Sequence, residues 1–149
     1  MRILKAILRA TLVAIILSFL QSLPASADIP HIDFRPEATR TAGPVADGSL
    51  LGRGRVTWNG PHEGFRLWLE GGQDAGDYRL ALTSPGGTGL PLRVRIETDE
   101  PATAEDAGRG LRILSSQNSV NFRIVTDGHQ EASPGMWRLL IGASTVLSL

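Results

Sequence analysis

The sequence predicts an all-β fold, an antiparallel β-sandwich whose sheets each keep one face wet. Three observations predict it. Short runs alternate apolar and polar side chains, the period that sends one set into a core and the other into water. Each run is closed by Gly, Pro, Asn or Asp, residues that accept positive φ or remove a backbone donor. No amphipathic pattern persists at helical spacing beyond a turn or two. The count, about seven strands of short and irregular length, favours a sandwich over a barrel.

The first strand is expected over 31–34, with Ile32 and Phe34 on one face and His31, Asp33 and Arg35 on the other. Residues 36–49 are rich in Pro, Gly, Thr and Ala and read as a loop. A second strand over 50–58 carries Gly52 and Gly54, which weaken it or allow a bulge. It ends in Asn59-Gly60-Pro61, which is turn chemistry. The third strand, 64–70, sets Phe65, Leu67 and Leu69 against Arg66, Trp68 and Glu70, and 71–74 is expected to turn. Residues 77–83 alternate Tyr78, Leu80 and Leu82 with Arg79, Ala81 and Thr83, and Ser84-Pro85-Gly86-Gly87 stops them.

Residues 90–98 alternate Leu92, Val94 and Ile96 with Arg93, Arg95 and Glu97, whose charges mark a solvated face. Residues 99–109 form the longest polar connection, with room for a helical turn, and 111–114 is a brief strand. Residues 119–126 set Val120, Phe122 and Ile124 against Asn121 and Arg123. The last strong strand is expected over 136–143, with Trp137, Leu139 and Ile141 inward and Arg138 outward. Residues 144–149 are short and apolar.

The first 27 residues read as a secretory signal peptide, to be removed before folding. Arg2, Lys5 and Arg9 form a basic start, 10–20 is an apolar run, and Ala25-Ser26-Ala27 is a small-residue cleavage site. The run is short for a spanning helix, which needs ~20 apolar residues. A mature chain of 122 residues, 28–149, is one domain by length. It keeps twelve bases, all Arg, against fifteen acids, a net charge of −3 that implies no affinity for nucleic acid. There is no Cys, so an oxidising compartment is permitted but unused.

Nothing in the chain reads as catalytic or as holding a metal or cofactor. His31, His62 and His129 are the only histidines, and no G-x-S-x-G elbow or Cys nucleophile is present. Asp127, His129 and Glu131 are spaced as a possible metal cluster, but they fall between Asp-Gly and Pro-Gly turns, where a solvated loop is the plainer account. His62-Glu63 beside the Asn-Gly-Pro turn reads as a surface pair, and Ser-Pro-Gly-Gly-Thr-Gly as a hairpin loop with no Lys to make a phosphate cradle. Trp58 and Trp137 read as core or sheet-surface aromatics. Trp68 alternates outward, where a large aromatic marks a binding face.

Three blocks, in order over 47–143, carry a family resemblance. They are Asp47-Gly48 followed by Gly54-Arg55; His62-x-Gly64-Phe65-x-x-Trp68; and Phe122, Asp127-Gly128-x-Gln130, Pro134-Gly135-x-x-Arg138 and Gly142. With them the chain resembles the Afa/Dr-type invasin subunits (AfaD-like), tip subunits of chaperone–usher fimbriae. One departure is plain: the family's disulfide cysteines match Trp58 and Thr145 here. A disulfide of that kind contributes ~2–4 kcal/mol, and Trp58 is expected to fill the space.

The resemblance implies an immunoglobulin-like sandwich lacking its last strand, with the gap filled first by a periplasmic chaperone and then by a strand donated by another pilin, a mode of β-strand addition. An outer-membrane usher and a host-cell receptor are the other implied partners, and the implied location is the fimbrial tip. The groove is expected to be floored by Ile32 and Phe34 of the first strand and Trp137, Leu139 and Ile141 of the last. No alternating donor segment precedes Ile29, so the subunit is expected to accept a strand and offer none. Outward Arg66, Trp68, Arg93 and Arg95 are candidates for the receptor face. The alternative is a self-contained secreted or periplasmic β-sandwich binding module outside any fibre. A periplasmic hydrolase has no nucleophile–base pair to support it.

Overall fold

The computed structural model describes residues 29–38, 42–105 and 110–147. The signal peptide expected over 1–27 lies outside them. No helix among the described residues is long and apolar enough to cross a membrane.

Among the described residues the chain forms twelve strands and one short 3-10 turn, Pro85–Gly87. The strands are β1 (His31–Pro36), β2 (Gly43–Val45), β3 (Leu50–Thr57), β4 (Gly64–Glu70), β5 (Gly72–Asp74), β6 (Arg79–Leu82), β7 (Leu92–Glu97), β8 (Ala102–Ala104), β9 (Leu111–Leu114), β10 (Ser119–Thr126), β11 (Gln130–Ala132) and β12 (Leu140–Val146). One sheet has six strands in the order β1-β3-β10-β7-β6-β5, and the other has four in the order β12-β4-β9-β8. β2 and β11 pair as a separate ribbon. Every pairing is antiparallel. The architecture is the expected all-β, immunoglobulin-like sandwich.

The alternating residues meet between the sheets. Val56, Leu80, Val94, Ile96, Val120, Phe122 and Ile124 from the six-stranded sheet face Phe65, Leu67, Leu69, Leu111 and Ile113 from the other. Gly52 and Gly54 are where β3 must stay bare. The Phe34 ring occupies the space of a Cβ at Gly52, and the Phe122 ring that of a Cβ at Gly54. The two rings stack across the gap, centroids 6.4 Å apart. Small residues in this strand therefore let two large aromatics from its neighbours share the core. Trp58 is half-buried against the core margin.

The structure corrects several sequence expectations. The last strand is Leu140–Val146, not 136–143, so Trp137 and Leu139 precede it and 144–146 belong to it. The reason is the partner: β4 ends at Glu70 opposite Leu140, and Gly71 then turns away with φ +116°. The loop expected over 36–49 contains β2, the turn over 71–74 contains β5, and the loop after Asp127 contains β11. The connection with room for a helical turn contains the extended β8, and its residues 106–109 lie outside the described set.

Candidate functional site

Among the described residues the two sheets end at β1 and β5 and at β12 and β8, and β1 and β12 are the edges that carry or adjoin the expected groove residues. Each is bonded on one side only, β1 to β3 and β12 to β4. All five expected groove residues, Ile32, Phe34, Trp137, Leu139 and Ile141, are half-buried and pack on the margin of the core. At one end, Glu37 and Leu51 from the β1–β3 side and Met136 and Trp137 from the segment before β12 line one cavity of about 450 Å³. Val45, Leu92 and Ala132 complete its apolar wall. Trp137 is held by its indole N–H donating to the Ser133 carbonyl at 3.2 Å. Met136, 90% exposed, lines the same cavity, and Leu140, 55% exposed, opens β12. Sequence alternation missed both, because alternation sorts residues by face and these belong to an edge.

Arg66 and Trp68 lie together on the outer face of the four-stranded sheet. The Trp68 indole lies over Gly142 of β12, where any Cβ would collide with the ring. Its N–H donates to Glu70 Oε1 at 3.3 Å, and the Arg66 guanidinium sits 5.7 Å from the ring centroid. Arg66 also approaches Glu105, at 3.8 Å. The residues opposite Arg66 are Ser144 on β12 and Arg112 on β9.

Arg93 and Arg95 lie on the outer face of the other sheet, so the four receptor candidates do not form one patch. Arg93 is exposed, while Arg95 is closed in, its side chain 18% exposed. It donates to Asp47 at 2.7 Å, to Glu97 at 2.8 Å, to Asp127 at 3.2 Å and to the Thr126 carbonyl at 2.9 Å. The bond to Asp47 is the main reason its pKa rises above the ordinary arginine value. Conversely, that bond, with the Gly128 N–H, holds the Asp47 carboxyl below the usual carboxylate range. Arg95 therefore pins the 46–49 turn to the turn after β10. A wet-face alternation could not distinguish a free arginine from this one.

The titratable candidates are taken up by structure. Asp127 faces Arg95 and Arg79 rather than His129 or Glu131, and no group of three metal-ligating side chains occurs among the described residues. His62, expected as one half of a surface pair, instead places both ring nitrogens on carbonyl oxygens, Nδ1 on Gly60 at 2.8 Å and Nε2 on Gln117 at 2.6 Å. Its ring leans on Phe65, so it ties the loop before β4 to the loop before β10.

Residues 41–143 match the family model of the enterobacterial AfaD invasin protein. The chain belongs to the AfaD invasin family. It is 30% identical to Protein AfaD of Escherichia coli over 106 residues, covering 69% of this chain and 71% of that protein. It is 25% identical to Protein AggB of Escherichia coli over 105 residues, 70% and 72% of the two chains. Among solved structures, the Salmonella SafD adhesin superposes with a TM-score of 0.73 at 27% identity, over 80% of this chain and 85% of that one. The E. coli Hda pilus minor tip subunit HdaB superposes with a TM-score of 0.73 at 22% identity, over 82% and 86%, a likeness of fold. Within the AfaD invasin family, the blocks around His62-Phe65-Trp68 and Gly142 acquire structural meaning here: they are the loop tie, the core ring and the indole with its glycine seat.

Proposed function

We propose that the protein is a fimbrial tip subunit, an adhesin or invasin that attaches the bacterium to host cells and is completed by a strand donated from another subunit. It is a structural and binding protein rather than an enzyme. It is exported, held by a periplasmic chaperone, passed to an outer-membrane usher and displayed at the fibre tip. One observation carries the reading: the unpaired edges of β1 and β12 border half-buried Ile32, Phe34, Trp137, Leu139 and Ile141, which a complete sandwich would cover. A donor strand there supplies hydrogen bonds to both free edges. It also finishes burying those side chains, at about 1–2 kcal/mol for each half-exposed one. Membership of the AfaD invasin family supports the same reading.

Thermal unfolding of mature protein with and without peptides from the N-terminal extensions of candidate pilins tests it. A peptide that raises Tm and yields a monodisperse species is the expected result. A stable monomer that no peptide shifts makes the chain a self-contained binding module instead.

A further inference from the structure

On the outer face of the six-stranded sheet the register places three arginines in one row across three strands. Arg35 of β1 is opposite Arg53 of β3, and Arg53 is opposite Arg123 of β10. Arg55 stands in the next row, opposite Asp33 and Asn121. Like charges directly opposite each other on neighbouring strands are destabilising, yet two such pairs adjoin here. At a strand spacing of about 4.8 Å the row spans on the order of 10 Å. Above it lies an open concavity of about 510 Å³ lined by Arg35, Arg53, Arg55 and Arg123 with Asp33 and Asp99. That lining carries net positive charge in a mature chain that is net negative.

The carboxylates around the row are at its rim. Glu37 meets Arg53 at 3.2 Å, Asp99 meets Arg123 at 3.0 Å, and Asp33 only reaches Arg35 at 4.0 Å. Glu97, shared with Arg95, lies 3.7 Å from Arg123. Arg35 and Asp33 are 86% and 58% exposed, a pair of the kind that contributes only ~0–1 kcal/mol, whereas Asp99 holds Arg123 through two hydrogen bonds, at 3.0 and 3.2 Å. An incoming anion therefore displaces Asp33 from Arg35 at little cost. Arg55 has no carboxylate partner among the described residues; its Nε donates to Asn121 Oδ1 at 3.1 Å, leaving its terminal nitrogens for a ligand.

We propose that this face binds an anionic polysaccharide, a sulfated or carboxylated chain laid along the Arg35–Arg53–Arg123 row. Guanidinium groups match sulfate and carboxylate with two parallel hydrogen bonds. Apart from Gly54 and the buried Phe122, the residues lining the concavity are charged or amide and offer no exposed apolar side chain to anchor an aromatic or aliphatic residue, so an acidic peptide gains less here than a polyanion bound by charge alone. The proposal is independent of the donor-strand reading, since a strand added beside β1 leaves this outer face free.

The test is surface plasmon resonance of mature protein against an immobilised heparin oligosaccharide at physiological ionic strength, repeated with the donor edge filled by peptide. Binding should weaken as salt rises. The double variant R35S/R55S should bind about tenfold more weakly. R112S/R138S, which removes the same charge from elsewhere, should bind as the parent does. R55S alone serves if the double variant loses its fold. Absence of binding by the parent in both forms, equal losses in the two double variants, or equally tight binding of a polyglutamate peptide would each overturn the proposal.

Discussion

Arg95 and Asp47, 48 residues apart in sequence, meet at 2.7 Å and close the turn before β3 onto the middle of the six-stranded sheet. The bond depresses the Asp47 pKa relative to its unfolded value of 3.8. A depressed carboxylate contributes stability that is present above the unfolded pKa and is lost as pH falls through the folded one. Asp99, held down by Arg123, acts in the same direction. The parent protein should therefore lose stability below about pH 4, and Asp47→Asn should be less stable at neutral pH with a flatter acid limb. Denaturant midpoints measured across that range check this; parallel acid limbs would show that the bond does not matter.

Thr126 is fully buried and ties the same turn from within. Its hydroxyl donates to the Ala46 carbonyl at 2.7 Å and accepts from the Ser49 N–H at 2.9 Å. Thr126→Val keeps the shape and deletes both bonds, leaving the Ser49 N–H without its partner while the Ala46 carbonyl keeps the Ser49 hydroxyl at 2.7 Å. The expected loss is about 1–3 kcal/mol, read from urea unfolding. A loss near zero would mean that water replaces the hydroxyl.

Gly52 and Phe34 should behave as a coupled pair. Gly52→Ala sets a methyl against the Phe34 ring and 2.9 Å from the Arg35 carbonyl oxygen, and should cost about 1–3 kcal/mol. Phe34→Ala removes the ring that stacks on Phe122 and should cost a similar amount, about 2–4 kcal/mol. The double variant should be more stable than the sum implies, by ~1 kcal/mol or more. Strict additivity in the cycle would assign the Gly52→Ala penalty to the Arg35 carbonyl rather than to the ring.

Gly142 seats Trp68, so Gly142→Ala should lift the indole and disturb its contact with Arg66. We expect a loss of about 1–3 kcal/mol and a shifted tryptophan emission spectrum. Trp68→Ala in the same background should abolish most of the penalty. A penalty that survives would assign it to the β12 backbone.

The core was legible because alternation needs no knowledge of partners. Val94, Ile96, Phe122 and Ile124 had to share a side once each segment was extended, and all four are buried. The same logic found Ile32, Phe34 and Ile141 at the core margin. It failed where a strand is defined by its neighbour: Gln130, Glu131 and Ala132 of β11 are extended because β2 lies beside them, and β12 begins where β4 ends. It also failed for His62, whose two carbonyl partners come from different loops.

Sidedness and fold class were legible in the sequence, because they follow from side-chain period and from the backbone freedom of Gly, Pro, Asn and Asp. Register and edges came from the pairing of the sheets. Which residue stands opposite which depends on hydrogen bonds between distant segments, so the row of Arg35, Arg53 and Arg123, the clasp of Arg95 on Asp47 and the unpaired flanks of β1 and β12 exist only once the sheets have formed.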